Sequence, residues 1–294
     1  MGDVLAGFHA AWEFESDSVL IRYERGIRTP KLFQALGERR VPLEAIEGVT
    51  LTPGRRGTVV LRVQPRAGAD PLIEAAAGQL KESGDPYRLV LPAERETLAE
   101  YYADELKALL TESGKTERYL VAPPEAPLHF KAYDGKASFD GKAVSFRWSW
   151  TGASSAKWKA GDQSFPVAGL GGVEWRSPEI PEGYLRLLPR EADAVAGTAA
   201  SAASAVPQAD QDPAAVVFGL GYGPVHESLP FAAAVLAAVR ERGAVAPVPV
   251  PVPAPRRDPG DIAERIRHLG ELHQQGLVTD EEFSSKKAEL LAEL

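Results

Sequence analysis

The chain repeats itself, and this constrains its folding more than any other feature, because two copies of one pattern demand two copies of one structural unit. WEFESDSVLIRY, residues 12–23, lies over ASFDGKAVSFRW, residues 137–148. Phe14 falls on Phe139, Glu15 on Asp140, Val19 on Val144, Ile21 on Phe146 and Arg22 on Arg147. Further on, VPLEAIEGVTL from Val41 lies over FPVAGLGGVEW from Phe165, and VVLRVQPR, ending at Arg66, lies over GYLRLLPR, ending at Arg190. Pro42, Gly48, Val49, Leu61, Arg62, Pro65 and Arg66 all meet identical partners. Phe14 and Phe139 are accordingly expected at equivalent buried positions.

Within each copy the apolar period is two: Val19, Ile21 and Tyr23 alternate with Leu20, Arg22 and Glu24. That is the period of half-buried antiparallel strands, and the runs predict roughly six or seven short strands per copy. Each copy then changes period. ERETLAEYYADELKALL places Leu98, Tyr102, Leu106 and Leu109 at helical steps, and ESLPFAAAVLAAVRER is its counterpart, with Ser228 expected as N-cap and Pro230 in the first turn. The expected fold is α+β, with two tandem antiparallel β units each closed by a helix. The first occupies residues 1–118 and the second 129–242, joined by a linker at 119–128 whose consecutive prolines stop the preceding helix. The second copy carries an Ala/Ser-rich loop at 191–213, expected to be mobile for want of large apolar residues.

Residues 243–260, GAVAPVPVPVPAPRRDPG, alternate proline with valine or alanine and predict a semi-rigid polyproline II tether of ~3.1 Å per residue. Residues 261–294 then predict a helical hairpin. Ile262, Ile266, Leu269 and Leu272 or His273 line one face of its first helix, and Gly276 ends it. Thr279 and Glu282 form a capping box for the second helix, whose inner face carries Phe283, Leu290, Leu291 and Leu294. So short a hairpin cannot bury both faces internally, so self-association through these residues is expected to make the chain a homo-oligomer.

The last segment resembles the SHOCT family, a short C-terminal domain of bacterial proteins, through Leu269, Leu272, Gly276, Leu277, Thr279, Glu281, Glu282, Phe283, Lys287, Leu290 and Leu291. The strand order closed by one helix resembles the pleckstrin-homology (PH) like fold. Paired units of this kind with such a tail resemble an actinobacterial family, that of the domain of unknown function 4429. The resemblance implies a PH-like architecture and oligomerisation through the tail, and it supplies no activity.

Several chemistries lack their residues. The absence of cysteine removes disulfides, thiolate catalysis and cysteine-ligated metals. The five histidines form no H-x-x-x-H pair, and GLGYG at 219–223 is neither a dinucleotide fingerprint nor a phosphate loop; it aligns with a strand. No nucleophile elbow occurs. No cofactor and no catalytic or metal residue is therefore expected, and the chain is read as non-enzymatic. A formal net charge of −8 argues against a nucleic-acid partner. The first residues have no signal-peptide pattern and no run reaches the ~20 apolar residues that span a bilayer, so a cytoplasmic, at most membrane-peripheral, protein is expected.

Two clusters remain. The first copy concentrates arginines, of which Arg25, Arg28, Arg39, Arg40, Arg55 and Arg56 are candidates for one accessible surface that binds anionic ligands or lipid. The competing reading is solvated residues paired with acids. The second copy gathers tryptophans: Trp148 and Trp175 align with core positions, whereas Trp150 and Trp158 are either exposed anchors for a protein partner or core or edge packing. The resulting expectation is a binding or scaffold protein multimerised by its tail, with a peripheral membrane or anionic-ligand binder as the alternative and an enzyme with a noncontiguous site behind it.

Overall fold

The computed structural model describes residues 3–190, 207–219 and 221–244. Residues up to Ala244 form one compact unit; the proline-rich tether, the hairpin with its self-association residues, and most of the Ala/Ser-rich loop lie outside the described residues.

In the first copy β1 (Asp3–Ala6), β2 (Ala10–Phe14), β3 (Ser18–Tyr23) and β4 (Glu38–Pro42) form an antiparallel sheet in sequence order, and β5 (Ile46–Pro53), β6 (Thr58–Pro65) and β7 (Arg88–Pro92) form a second. Two short helices, α1 (Lys31–Leu36) and α2 (Pro71–Ala76), interrupt the strands, and α3 (Glu96–Leu109) closes the copy. The second copy repeats this with β8 (Leu128–Lys131), β9 (Gly135–Phe139), β10 (Ala143–Trp148), α4 (Ser155–Ala160) and β11 (Gln163–Pro166). β12 (Leu170–Arg176), β13 (Tyr184–Pro189) and β14 (Ala215–Val217) follow, then α5 (Val225–Ala244). The fold is α+β, and no sheet is shared between copies.

The repetition holds at the level of single pairs. Phe14 faces Val19 across β2–β3 as Phe139 faces Val144 across β9–β10, and Val19 faces Val41 as Val144 faces Phe165. A bulge shifts the register between Ile46 and Gly48 and again between the aligned Leu170 and Gly172. Arg62 pairs with Asp85 at 2.9 Å where Arg186 pairs with Asp212 at 3.0 Å, and each aspartate also accepts a backbone N–H two residues on. Matched apolar alternation on opposed strands leaves only one register that buries every inward side chain, so both copies adopt it.

Four local expectations are corrected. Phe14 is half-buried, stacked on Tyr102 at 4.3 Å, whereas Phe139 is buried. The inner face of α3 is Ala99, Tyr102, Ala103 and Leu106; Leu98 and Leu109 are exposed, because the small alanines let the helix lie close to the sheet. α5 starts a turn before Ser228, which is fully buried and hydrogen-bonds Trp175 Nε1 and the carbonyls of Gly223 or Pro224 rather than capping. After β14, Gly219 and Tyr222 form an isolated bridge, and the described residues of GLGYG make no strand.

The copies are fused through their helices. Leu72, Ala75 and Ala76 of α2 enter the same apolar core as Phe231, Ala232 and Val235 of α5. Gln79 exchanges two hydrogen bonds with the second copy, donating to Trp175 O and accepting from Ser177 N, each at 2.9 Å. Arg240 donates to Gly68 O and Glu74 while its guanidinium lies 3.8 Å from the Tyr119 ring centroid. No described helix is long and apolar enough to cross a membrane.

Candidate functional site

In each copy one end of the paired sheets is a rim of loops held by the same backbone bonds. In the first copy Phe8 N donates to Val90 O at 2.7 Å, which joins the two sheets, and Glu24 N donates to His9 O at 2.9 Å, which draws the β3–α1 loop to the β1–β2 turn. Ala93 N donates to Gly57 O, and Arg95 reaches Ala6 O at 2.6 Å, so the β5–β6 turn and the residues after β7 continue the rim. The second copy reproduces it: Tyr133 N donates to Val217 O, and Ser149 N to Asp134 O. At both rims the chain projects apolar side chains into solvent. Phe8 and Tyr133 occupy the same turn position and are about half exposed (51% and 53%), and the following loop carries Ile27, fully exposed, or Trp150, 85% exposed.

The basic candidates divide. Arg25 and Arg28 flank Ile27, and Arg55 and Arg56 form the β5–β6 turn; all four are exposed and none has a carboxylate partner among the described residues. Arg40 is exposed but engaged by Glu15, next to Ser18. Arg39 does not belong to the accessible surface. It is 6% exposed and donates to Asp70 Oδ1 at 2.7 Å, while Asp70 Oδ2 accepts from Tyr87 OH at 2.7 Å and its Oδ1 also caps α2 through Leu72 N. Burial, with Asp70 beside it, pushes the Tyr87 phenol well above its ordinary pKa and keeps it a donor.

Trp148 and Trp175 are buried, as expected from their alignment. Trp150 and Trp158 are exposed and meet edge to face, ring centroids 5.5 Å apart, on either side of the Ser154 cap of α4. Gly152 in that loop lies so close to the Tyr133 carbonyl that a Cβ there would sit 2.2 Å from it, which seats the Trp150 loop against the β8–β9 turn. Beneath them Lys157 is fully buried, donating to Asp134 and to the carbonyls of Ala209 and Ala215 at 2.8 Å. Burial pushes the Asp134 carboxyl up and the Lys157 ammonium down in pKa, and their mutual attraction opposes both shifts. With all its donors satisfied by protein, Lys157 holds the loop in place.

The start of α1, just past the loop that carries Ile27, reaches the second copy at a cavity of about 610 Å³, lined by Lys31 together with Ile180, Glu182, Tyr222 and His226. Burial lowers the His226 pKa, so it adds no charge there at neutral pH. Tyr222 in turn packs edge-on to Tyr133 at 6.2 Å. Among the described residues no group of three His, Cys, Asp or Glu side chains is placed to hold a metal ion. The assembled surface can attract anions through unpaired guanidinium groups and bury apolar tips against a partner. Sequence reasoning missed Ile27, Phe8, Tyr133 and Tyr222, although an isoleucine inside the turn-rich RGIRTP was a readable sign.

A family model described as Domain of unknown function (DUF4429) matches residues 12–107 and again 137–236. The model of the Short C-terminal domain (SHOCT) matches residues 264–291. A search of curated proteins finds no match. Two tandem matches over most of its length, coinciding with the two structural copies, show that the chain belongs to the DUF4429 family and ends in a SHOCT domain.

Proposed function

We propose that the chain is a non-enzymatic, cytoplasmic binding scaffold: a fused pair of PH-like units offers a composite surface, and the SHOCT tail gathers several such pairs into one assembly. One observation carries the binding reading: both copies expose apolar side chains at equivalent rim positions while their buried charges, Arg39 and Lys157, are engaged with internal partners. Repetition of an exposed apolar tip in two diverged copies indicates a surface with a partner rather than a packing accident. A four-stranded and a three-stranded antiparallel sheet followed by one helix is the element order of PH-like domains, which supports that description.

Multi-angle light scattering of the full chain tests the scaffold part. The wild type is expected to form an oligomer across the micromolar range, and Phe283→Ala with Leu290→Ala to give monomers with unchanged circular dichroism. A monomeric wild type overturns the multimerised scaffold.

A further inference from the structure

We infer that the rims of the two copies together form a membrane-docking face, whose ligand is the surface of an anionic lipid bilayer. This rests on the binding reading above and is independent of self-association. Three observations converge on it.

The first is an apolar tip between two cations. Ile27 stands wholly outside the fold between Arg25 and Arg28, on a loop tied at its start by Glu24 N to His9 O and closed as a turn by Thr29 N to Gly26 O. A side chain so placed contributes nothing to the core, but it can enter the acyl boundary of a bilayer while its neighbours meet lipid phosphates.

The second is charge. Arg55, Arg56 and Lys31, with no carboxylate partner among the described residues, extend the basic surface along the rim in a chain whose formal net charge is −8, so this patch opposes the overall sign of the molecule. Glu24 precedes Arg25 in the chain, and Glu179 and Glu182 line the cavity with Lys31, Glu179 being held by Lys81 at 3.3 Å. A patch of this kind concentrates anions at short range in spite of global repulsion.

The third is continuity with aromatic side chains. Lys31 shares its cavity with Tyr222, Tyr222 packs on Tyr133, and the Tyr133 carbonyl supports the loop that carries Trp150 against Trp158. Tryptophan and tyrosine, apolar in body with one polar handle, are the side chains that settle at the headgroup level. A protein partner would be served by any one of these features. An apolar tip, an unpaired basic rim and an adjoining aromatic row together match the layers of an anionic bilayer.

Co-sedimentation of the full chain with phosphatidylcholine vesicles, with and without phosphatidylglycerol, tests the inference. Wild type is expected to bind the phosphatidylglycerol vesicles, less so as salt rises, and the plain vesicles weakly. Ile27→Asp should lower the partition coefficient about tenfold or more, since it removes one large apolar side chain from the lipid. Arg25→Glu with Arg28→Glu should do the same, with folding of both variants verified by circular dichroism. Tryptophan emission should shift to the blue on anionic vesicles, and Trp150→Phe should retain binding while losing much of the shift. Absence of sedimentation with anionic vesicles at low ionic strength, binding indifferent to Ile27→Asp, or displacement by soluble glycerol phosphate each overturns the inference. So does a loss of self-association in Ile27→Asp measured without vesicles, which assigns the tip to contacts between copies of the chain. Failure of the scaffold is read separately, because a monomeric chain would still sediment.

Discussion

Lys157 directs its ammonium at Asp134 and two carbonyls inside the second copy, 4.9 Å from the Trp148 ring, whereas the same helix slot in the first copy holds Phe33 stacked on Tyr23 at 4.9 Å. The slot thus accepts an apolar side chain, and the ion pair is an alternative filling rather than a requirement of the fold. Lys157→Met alone should destabilise by about 3–5 kcal/mol, because it leaves the Asp134 carboxylate buried without its cation. Lys157→Met with Asp134→Asn should recover much of that loss in urea unfolding; equal destabilisation by the single and double variants would contradict the compensation argument. Arg39 teaches a related lesson about legibility. The alternation that puts Val41 inside puts Arg39 on the same face of β4, so its burial was readable from period two alone. Counting it with Arg40 as part of a charge run concealed this. Asp70, its partner, lies 31 positions away, and no local pattern connects the two.

At the scale of elements, α2 decides whether the copies behave as one body or two. It is only six residues long, started by the Asp70 cap and Pro71 and ended at Ala77 in the left-handed conformation, too short to show a helical period. The antiparallel strands and the closing helices were legible because each repeats a pattern. α2 was not, and neither was the inter-copy seam, because the duplication alignment compares the copies and says nothing of contacts between them. Leu72 is fully buried in the core that contains α5, so Leu72→Ala should cost about 2–5 kcal/mol. The cost should appear as a shift of one cooperative transition covering both copies in differential scanning calorimetry. Two separable transitions, only one of them moved by Leu72→Ala, would show that the seam through α2, Gln79 and Arg240 does not couple the units.

At the scale of the whole molecule, the proposed membrane-docking face and the proposed self-associating tail are separated along the chain by the proline-rich segment 243–260, and their effects should multiply. A single rim has few apolar tips, so one body should bind a vesicle weakly and leave it quickly. Once one member of an assembly is docked, the others meet the same surface at an effective concentration set by their tethers, and retention can rise about 10²–10⁴-fold without any new contact. Phe283→Ala with Leu290→Ala should therefore reduce vesicle retention by a large factor while leaving the Ile27 and Arg25 dependence of the remaining binding intact. Surface plasmon resonance on a supported anionic bilayer separates the cases through dissociation: slow for the wild type, fast for the tail variant, with similar association per body. If both dissociate alike although scattering shows that only the wild type is oligomeric, the bodies in the assembly do not engage the surface together. The tail would then serve a purpose other than avidity.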